Sequence, residues 1–315
     1  MLHRRLISAV ILISVALGLL WLDLSIPLLG QHGVWTIPLL AGLALGTVWE
    51  FSVLLNLRWG ISPRITLFHS LIALLVGLFP VWYSLIQQRP YPTDCPVGRL
   101  GWILVGVFVG IGLSGVHALR EFGKASEGVS SESNQNQKET HAERTLLAWL
   151  LSSFVLTYVI GCMLMWHVIR MRAPMEGIYE LIALVAAVKL ADTGAYFTGK
   201  LFGKRKLIPS VSPGKTIEGL IGGATFSIVA AYIGFRVVLP RLGVEPGPYI
   251  WGPVVTGGLL TVVGVVGDLL ESMVKRTVGA KDSGAVLPGL GGVWDVTDSL
   301  LPTAIVGYLV LMARL

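Results

Sequence analysis

The sequence predicts an all-α, polytopic membrane protein of about nine spans, and three observations carry that prediction. Hydrophobic residues make up 54% of the chain and charged residues only 13%, about half the charged share of a soluble domain. Apolar runs recur at lengths near the ~20 residues that an α-helix needs to cross a bilayer. Those runs lack the period-two alternation of barrel strands, and in lipid a helix satisfies its own backbone polar groups.

Taken in order, the first span covers 6–23, in "MLHRRLISAVILISVALGLL" and the residues after it. Its apolar run continues past Leu20 without a small-residue cleavage site, so it reads as a retained helix and not as a cleaved signal. Asp23, near its end, reads as interfacial. The second span, 34–55, contains Glu50, which is either a packed, partnered carboxylate or close to an interface. Spans at 65–86 and 100–119 carry little polar content. Residues 120–144, "REFGKASEGVSSESNQNQKETHAER", have the Ser, Gln, Asn and Glu bias of a solvated, mobile cytoplasmic linker. Five further spans follow at 145–169, 177–198, 219–239, 251–270 and 299–313, the last of them short. The chain thus divides into N-terminal membrane helices (1–119), a linker (120–144) and a C-terminal membrane region (145–315) that holds most of the intramembrane charge.

Placing the N-terminus in the cytoplasm puts sixteen Lys and Arg residues on the inner side and seven on the outer, with Lys189 inside a span. That asymmetry favours a cytoplasmic N-terminus and an external C-terminus. The formal charge of +6 is mostly juxtamembrane, so it speaks for anionic lipid headgroups and not for nucleic acid. Cys95 and Cys162 are far apart and lack metal-ligand spacing, which leaves neither a disulfide framework nor a zinc site.

An ionisable residue near the bilayer centre costs about 2.5–3.5 kcal/mol on insertion scales, so such residues are functional candidates. Lys189 and Asp192, three apart, share a helix face; the alternative is a structural ion pair that fixes helix packing. Glycines 194, 199 and 203 with the following lysines suggest a helix ending in a basic interfacial loop. In "SVSPGKTIEG" the Gly-Lys-Thr echoes a phosphate-binding P-loop, but Pro209 occupies the position of the required earlier glycine. Ser212, Lys215 and Thr216 remain as an anion-binding helix start, with Ser212 as a simple cap the alternative.

The second polar region is "VVGVVGDLLESMVKRTVGAKDSGAVLPGLGGVWDVTDSLL", 262–301. Asp268, Glu271, Ser272 and Lys275 recur at spacings of three and four and line one helical stripe. "PGLGG" breaks the helix, and Asp295 and Asp298 open the next apolar run. Carboxylates on both sides of a hairpin, beside Lys275, Arg276 and Lys281, suit a divalent metal and the phosphates it neutralises. Hard oxygen ligands favour Mg²⁺. A solvated charged loop explains Glu218 or Glu245, but explains poorly the acids set in apolar flanks.

The pattern S-M-V-K-R-x4-K-D-S-G-x-x-L-P-G-x-G-G-x-x-D-x-x-D-S, from Ser272 to Ser299, resembles the signature of the phosphatidate cytidylyltransferases, also called CDP-diacylglycerol synthases. "D-T-G-A-Y-x-x-G-K-x-F-G-K…S-P-G-K-T-x-E-G" and "G-D-L-x-E-S" agree with the same family in order and spacing. The resemblance covers roughly 186–302 and leaves the first four spans without a counterpart. Leu290 and Val296 depart from it, standing where the family usually has His and Arg.

The resemblance implies that the phosphate of phosphatidic acid attacks the α-phosphorus of CTP, with loss of pyrophosphate and formation of CDP-diacylglycerol for phospholipid synthesis. It implies that Asp268 and Asp295 hold Mg²⁺, leaving a second cation open, and that Lys275, Arg276 and Lys281 meet the triphosphate. Ser212, Lys215 and Thr216 would contact another phosphate; Asp282 and Asp298 would orient the cations, and Asp192 would join the substrate site. It further implies a homodimer in a bacterial inner membrane with a cytoplasmic site. The alternatives are a CTP-dependent kinase of a polyprenol or phytol, a transporter using Lys189, Asp192 and Asp268, or an inactive family member. A transporter would favour inverted repeats with polar machinery in both halves, and the charge here lies in one.

Overall fold

The computed structural model describes residues 2–92, 94–127 and 135–315. The chain is an integral membrane protein: among the described residues eight helices are long and apolar enough to cross a bilayer, and a bent helix pair makes nine if it counts as one span. In chain order the elements are α1 (Leu2–Ser25), α2 (Ile37–Trp59), α3 (Pro63–Gly77), α4 (Phe79–Gln87), α5 (Gly98–Glu127), α6 (Gln135–Arg170) and α7 (Glu176–Phe202). A two-stranded antiparallel hairpin, β1 (Lys206–Ile208) and β2 (Ser212–Thr216), precedes α8 (Ile217–Tyr232). A π-helical stretch (Ile233–Val238) and a single turn, α9 (Leu239–Arg241), end that span. Then come α10 (Gly252–Thr277), the short α11 (Trp294–Thr297) and α12 (Leu300–Met312).

Each expected span corresponds to a helix or, at 65–86, to a bent helix pair, and the differences are local. The one expected at 65–86 is broken: α3 and α4 meet at 51°. Pro80 causes the break, because it lacks an N–H and its ring opposes the carbonyl one turn back. The segment 120–144 is helical at both ends, with α5 running to Glu127 and α6 beginning at Gln135. Residues 128–134, the centre of the expected linker, lie outside the described residues.

The chain forms two compact units. One, Ala41–Leu164, comprises most of α2 and α6 with α3, α4 and α5 between them. Here α3 and α5 pack backbone to backbone: a Cβ at Gly106 would collide with the Ala73 carbonyl and lie 2.9 Å from the Gly77 nitrogen. Small residues drive such contacts in lipid, where dispersion replaces the hydrophobic effect between helices. Glu50 is buried at 3% exposure and has a partner, which decides between the two readings of its sequence position.

The other unit, Met1–Leu40 with Met165–Leu315, packs α7, α8, α10 and α12 together. Gly219 and Gly223 of α8 face α7, where an added Cβ would stand 2.9 Å from the Ala195 and Ala191 carbonyls respectively. The helix end expected from Gly194, Gly199 and Gly203 is present: α7 stops at Phe202, Gly203 caps it ahead of the basic Lys204–Lys206 segment, and Gly194 and Gly199 also serve the contact with α8. Asp23, near the end of its span as expected, is enclosed by protein. Its carboxylate is fully buried and paired with the equally buried Arg170, whose Nε donates to Oδ2 at 2.7 Å. The Gly33 N–H (2.7 Å) and the Trp35 N–H (3.3 Å) satisfy Oδ1, so this charge is compensated where lipid would otherwise forbid it.

Candidate active site

The site is built from four pieces of the second unit: α7, the β1–β2 hairpin, the C-terminal half of α10, and the loop and short helix before α12. Ser212 does not cap a helix; it lies on β2, and the cap is Thr216, whose Oγ1 accepts from the Gly219 N–H at 3.0 Å. Thr216 is extended and the next residue helical, the usual geometry of a threonine N-cap. Glu218 is not a merely solvated charge either. Its carboxylate reaches back to the N–H groups of Lys204 (3.0 Å) and Arg205 (3.1 Å) and ties the start of the hairpin to the start of α8.

That tie aims Lys215. Its Nζ sits 2.8 Å from Asp268 Oδ2 on α10 and donates to the Val265 carbonyl at 3.4 Å. The phosphate-loop-like segment and the acidic stripe, separated by some fifty residues, therefore meet. Asp268, Glu271 and Lys275 follow one face of α10 because α-helical neighbours recur at three and four residues. Lys275 Nζ contacts Glu271 Oε2 at 3.1 Å and Asp295 Oδ1 at 2.8 Å.

Asp295 is the hub of the loop. Its Oδ2 accepts from the Ser283 N–H (3.1 Å), the Ser283 hydroxyl (2.8 Å) and the Gly292 N–H (2.7 Å). The glycine at 291 has φ of +96°, and a Cβ there would stand 2.6 Å from that same oxygen. The glycine-rich PGLGG stretch thus wraps one carboxylate. On the far side, Lys189 donates to the Val296 carbonyl and to Ser299 Oγ, each at 3.0 Å, and pairs with Asp192 at 3.3 Å. Ser299 in turn donates to Asp192 at 3.0 Å.

Three carboxylates, Asp268, Glu271 and Asp298, bring one oxygen each within 4.8 Å of the others. Glu271 and Asp298 are buried, and Glu271 Oε1 has no hydrogen-bond partner in protein. Like charges this close disfavour joint ionisation unless a cation or protons compensate. Among the described residues the cluster gathers five carboxylates (Asp192, Asp268, Glu271, Asp295, Asp298) against three lysines (Lys189, Lys215, Lys275). Fully ionised, it carries two uncompensated negative charges, which suits a divalent cation with oxygen ligands. Of the two aspartates expected to hold metal, Asp268 lies in the carboxylate group, whereas Asp295 spends its oxygens on Lys275, Ser283 and Gly292.

Arg276, Lys281 and Asp282 stay exposed. Sequence reasoning passed over Glu271 as a ligand and missed Ser283 and Ser299 as the hydroxyls that hold Asp295 and the Lys189–Asp192 pair. Glu271 had a local signal, one turn from both Asp268 and Lys275; the serines had theirs in the quoted signature, where Ser283 and Ser299 are fixed positions.

Fold and site together define a polytopic membrane protein with a polar, acid-rich centre set into its C-terminal spans. The profile of the cytidylyltransferase family matches residues 3–313, and the chain belongs to that family. It is 44% identical over 127 residues to the phosphatidate cytidylyltransferase of Haemophilus influenzae, covering 40% of this chain and 43% of that protein. The enzyme of the same name from Brucella suis is 44% identical over 133 residues, 42% of this chain and 47% of the relative. That from Bacillus subtilis is 49% identical over 110 residues, 35% and 39% of the two chains. These alignments span less than half the length of the curated relatives.

Proposed function

We propose that this protein transfers CMP from CTP to phosphatidic acid, forming CDP-diacylglycerol and pyrophosphate. A lipid phosphate oxygen forms the new bond to the α-phosphorus of CTP, the bond from that phosphorus to the α–β bridging oxygen breaks, and pyrophosphate leaves with that electron pair. The observation that carries this reading is the meeting of Lys215, from the Gly-Lys-Thr segment, with the carboxylates of α10, in a chain of the cytidylyltransferase family. Cations and carboxylates from two distant segments suit the joining of two anionic phosphates, where positioning and charge neutralisation supply most of the rate.

The residues fit Mg²⁺: three close carboxylates and the unpartnered oxygen of Glu271 supply oxygen ligands, and a cation would offset their mutual repulsion when ionised. Asp268, with Glu271 and Asp298, would hold it, and it would supply neutralisation of triphosphate charge when bound. The contacts around Asp295 support a role in holding the loop and orienting Lys275. Lys215 and Lys275 bind and orient phosphate; Arg276 and Lys281, being exposed, are accessible to the triphosphate. Ser212 and Thr216 position the hairpin, and Asp192 orients Lys189. Asp282, exposed beside Lys281, orients that cation. The lipid phosphate is already ionised near neutral pH, so no strong general base is required and Leu290 in place of histidine is compatible with turnover. In the same reading residues 145–315 form the catalytic region of a homodimer in a bacterial inner membrane, with the N-terminus and the site facing the cytoplasm, where CTP resides.

The test is lipid-dependent release of pyrophosphate from CTP by the purified full chain with Mg²⁺, with mass analysis of the product. A CMP-containing lipid is expected; release of CDP with a phosphorylated lipid would instead assign a kinase. If native protein turns over no phosphatidic acid while Leu290→His with Val296→Arg does, the chain is a disabled member of its family.

A further inference from the structure

The first span raises a question that the charged cluster does not answer. Only 6% of its apolar window is buried, so α1 contributes little to the packed core. Yet it touches the loop that wraps Asp295: Ser8 Oγ donates to the Pro288 carbonyl at 2.7 Å. Beside that hydrogen bond lies a groove of about 550 Å³. One wall is the stripe Ile7, Ile11, Leu12 and Val15 of α1, and the other is Leu287 and Pro288 of the loop. Apart from Ser8, whose hydroxyl is already engaged, its lining is aliphatic or proline.

We infer that this groove seats an acyl chain of the lipid substrate, so that α1 and the loop together select and orient the lipid whose phosphate reacts; the inference rests on the proposed lipid-phosphate acceptor. Three features commit the groove to that occupant. Residues 7, 11 and 15 are spaced to form a continuous stripe about 12 Å long on one helix face, long enough to follow much of a fatty acyl chain. Ile7, Ile11 and Val15 remain about half exposed, so protein does not fill the groove, and in a bilayer hydrocarbon does. The outer wall is continuous with the site: Leu287 accepts from and donates to Gly291, next to Gly292, which donates to Asp295. A chain lying against Leu287 therefore belongs to a lipid whose headgroup is within reach of the loop that Asp295 and Lys275 organise.

The experiment pairs a filled groove with a direct label, using the full chain in detergent–lipid micelles. Ile11→Trp and Leu12→Trp occupy the groove on a helix that is otherwise almost unpacked. They are expected to lower kcat/KM for dioleoyl phosphatidic acid by about tenfold or more, the scale on which apolar pockets discriminate. Turnover of dihexanoyl phosphatidic acid, whose chains are too short to need the groove, and the KM for CTP are expected to stay within about twofold. In native protein, a phosphatidic acid with a photoreactive diazirine in its acyl chain is expected to label α1 or residues 285–289. Unlabelled phosphatidic acid is expected to compete, and phosphatidylcholine not. Equal loss on long and short lipids, no loss on either, labelling competed equally by phosphatidylcholine, or a cross-link from α1 to a second copy overturns the assignment. If native protein turns over neither lipid, the proposed reaction fails by itself. The label then judges the groove alone: labelling that phosphatidic acid displaces supports it, and no labelling there overturns it.

Discussion

Lys275 Nζ lies 2.8 Å from Asp295 Oδ1, a bond that joins the C-terminal end of α10 to α11 across the glycine-rich loop. Both side chains are shielded, at 12% and 16% exposure, so the pair is only weakly screened by solvent. Removing one partner leaves an uncompensated charge, at a cost of roughly 3–5 kcal/mol for a buried pair. Lys275→Ala is therefore expected to lower kcat/KM by at least about a hundredfold. It is also expected to expose residues 281–291 to protease. Rapid loop cleavage together with lost activity supports a joint organising and phosphate-binding role; lost activity with an intact loop assigns Lys275 to substrate alone. Ser283→Ala, which deletes only the 2.8 Å hydroxyl donor to Asp295, should cost about 1 kcal/mol and loosen the loop more mildly.

Glu271 offers a buried oxygen without a partner beside Asp268 and Asp298. Chelation is expected to abolish turnover, and added Mg²⁺ to restore it. Glu271→Gln keeps the shape and removes one charge, so the Mg²⁺ concentration for half-maximal activity should rise by about tenfold or more. An unchanged Mg²⁺ requirement in a folded Glu271→Gln protein would exclude Glu271 from metal binding.

Thr216 caps α8 and sets the position of Lys215 in the preceding residue. Loss of such a cap costs about 1 kcal/mol. Thr216→Ala should lower the Tm in detergent and raise the KM for CTP, while Thr216→Ser, which retains the oxygen, should restore both. Glu218→Gln should act in the same direction by weakening the bonds from Lys204 and Arg205. A normal KM in the alanine variant would mean that the hairpin holds Lys215 without its cap.

The Asp23–Arg170 pair predicts a non-additive stability cycle. Asp23→Leu or Arg170→Met alone strands a charge with no exposure to solvent and should cost roughly 3–5 kcal/mol. The double substitution should recover much of that loss, because it removes both charges together. Thermal unfolding of the four proteins measures the coupling, and simple additivity would argue that the two residues do not support each other.

Much of this protein is legible in the sequence because lipid imposes a local rule. A span needs an unbroken apolar run, so hydropathy alone located the eight long apolar helices and the bent pair, and the charged intrusions at Lys189, Asp192, Asp268 and Asp298 stood out against it. Pairing between distant segments obeys no such rule. Asp23 finds a partner 147 residues away, and no local pattern distinguishes it from an interfacial aspartate. Asp268 and Asp295 look equivalent in sequence, but the turn at 283–292 folds its N–H groups onto Asp295, whereas Asp268 has Glu271 one turn along the same helix and is joined by Asp298 through the packing of α10 against α12. The sequence by itself thus determined the membrane architecture, the two polar blocks and the family they resemble. Tertiary structure alone decided that Asp298 joins Asp268 and Glu271 while Asp295 takes its contacts from Lys275, Ser283 and Gly292, because pairing between distant segments depends on three-dimensional packing and not on spacing along the chain.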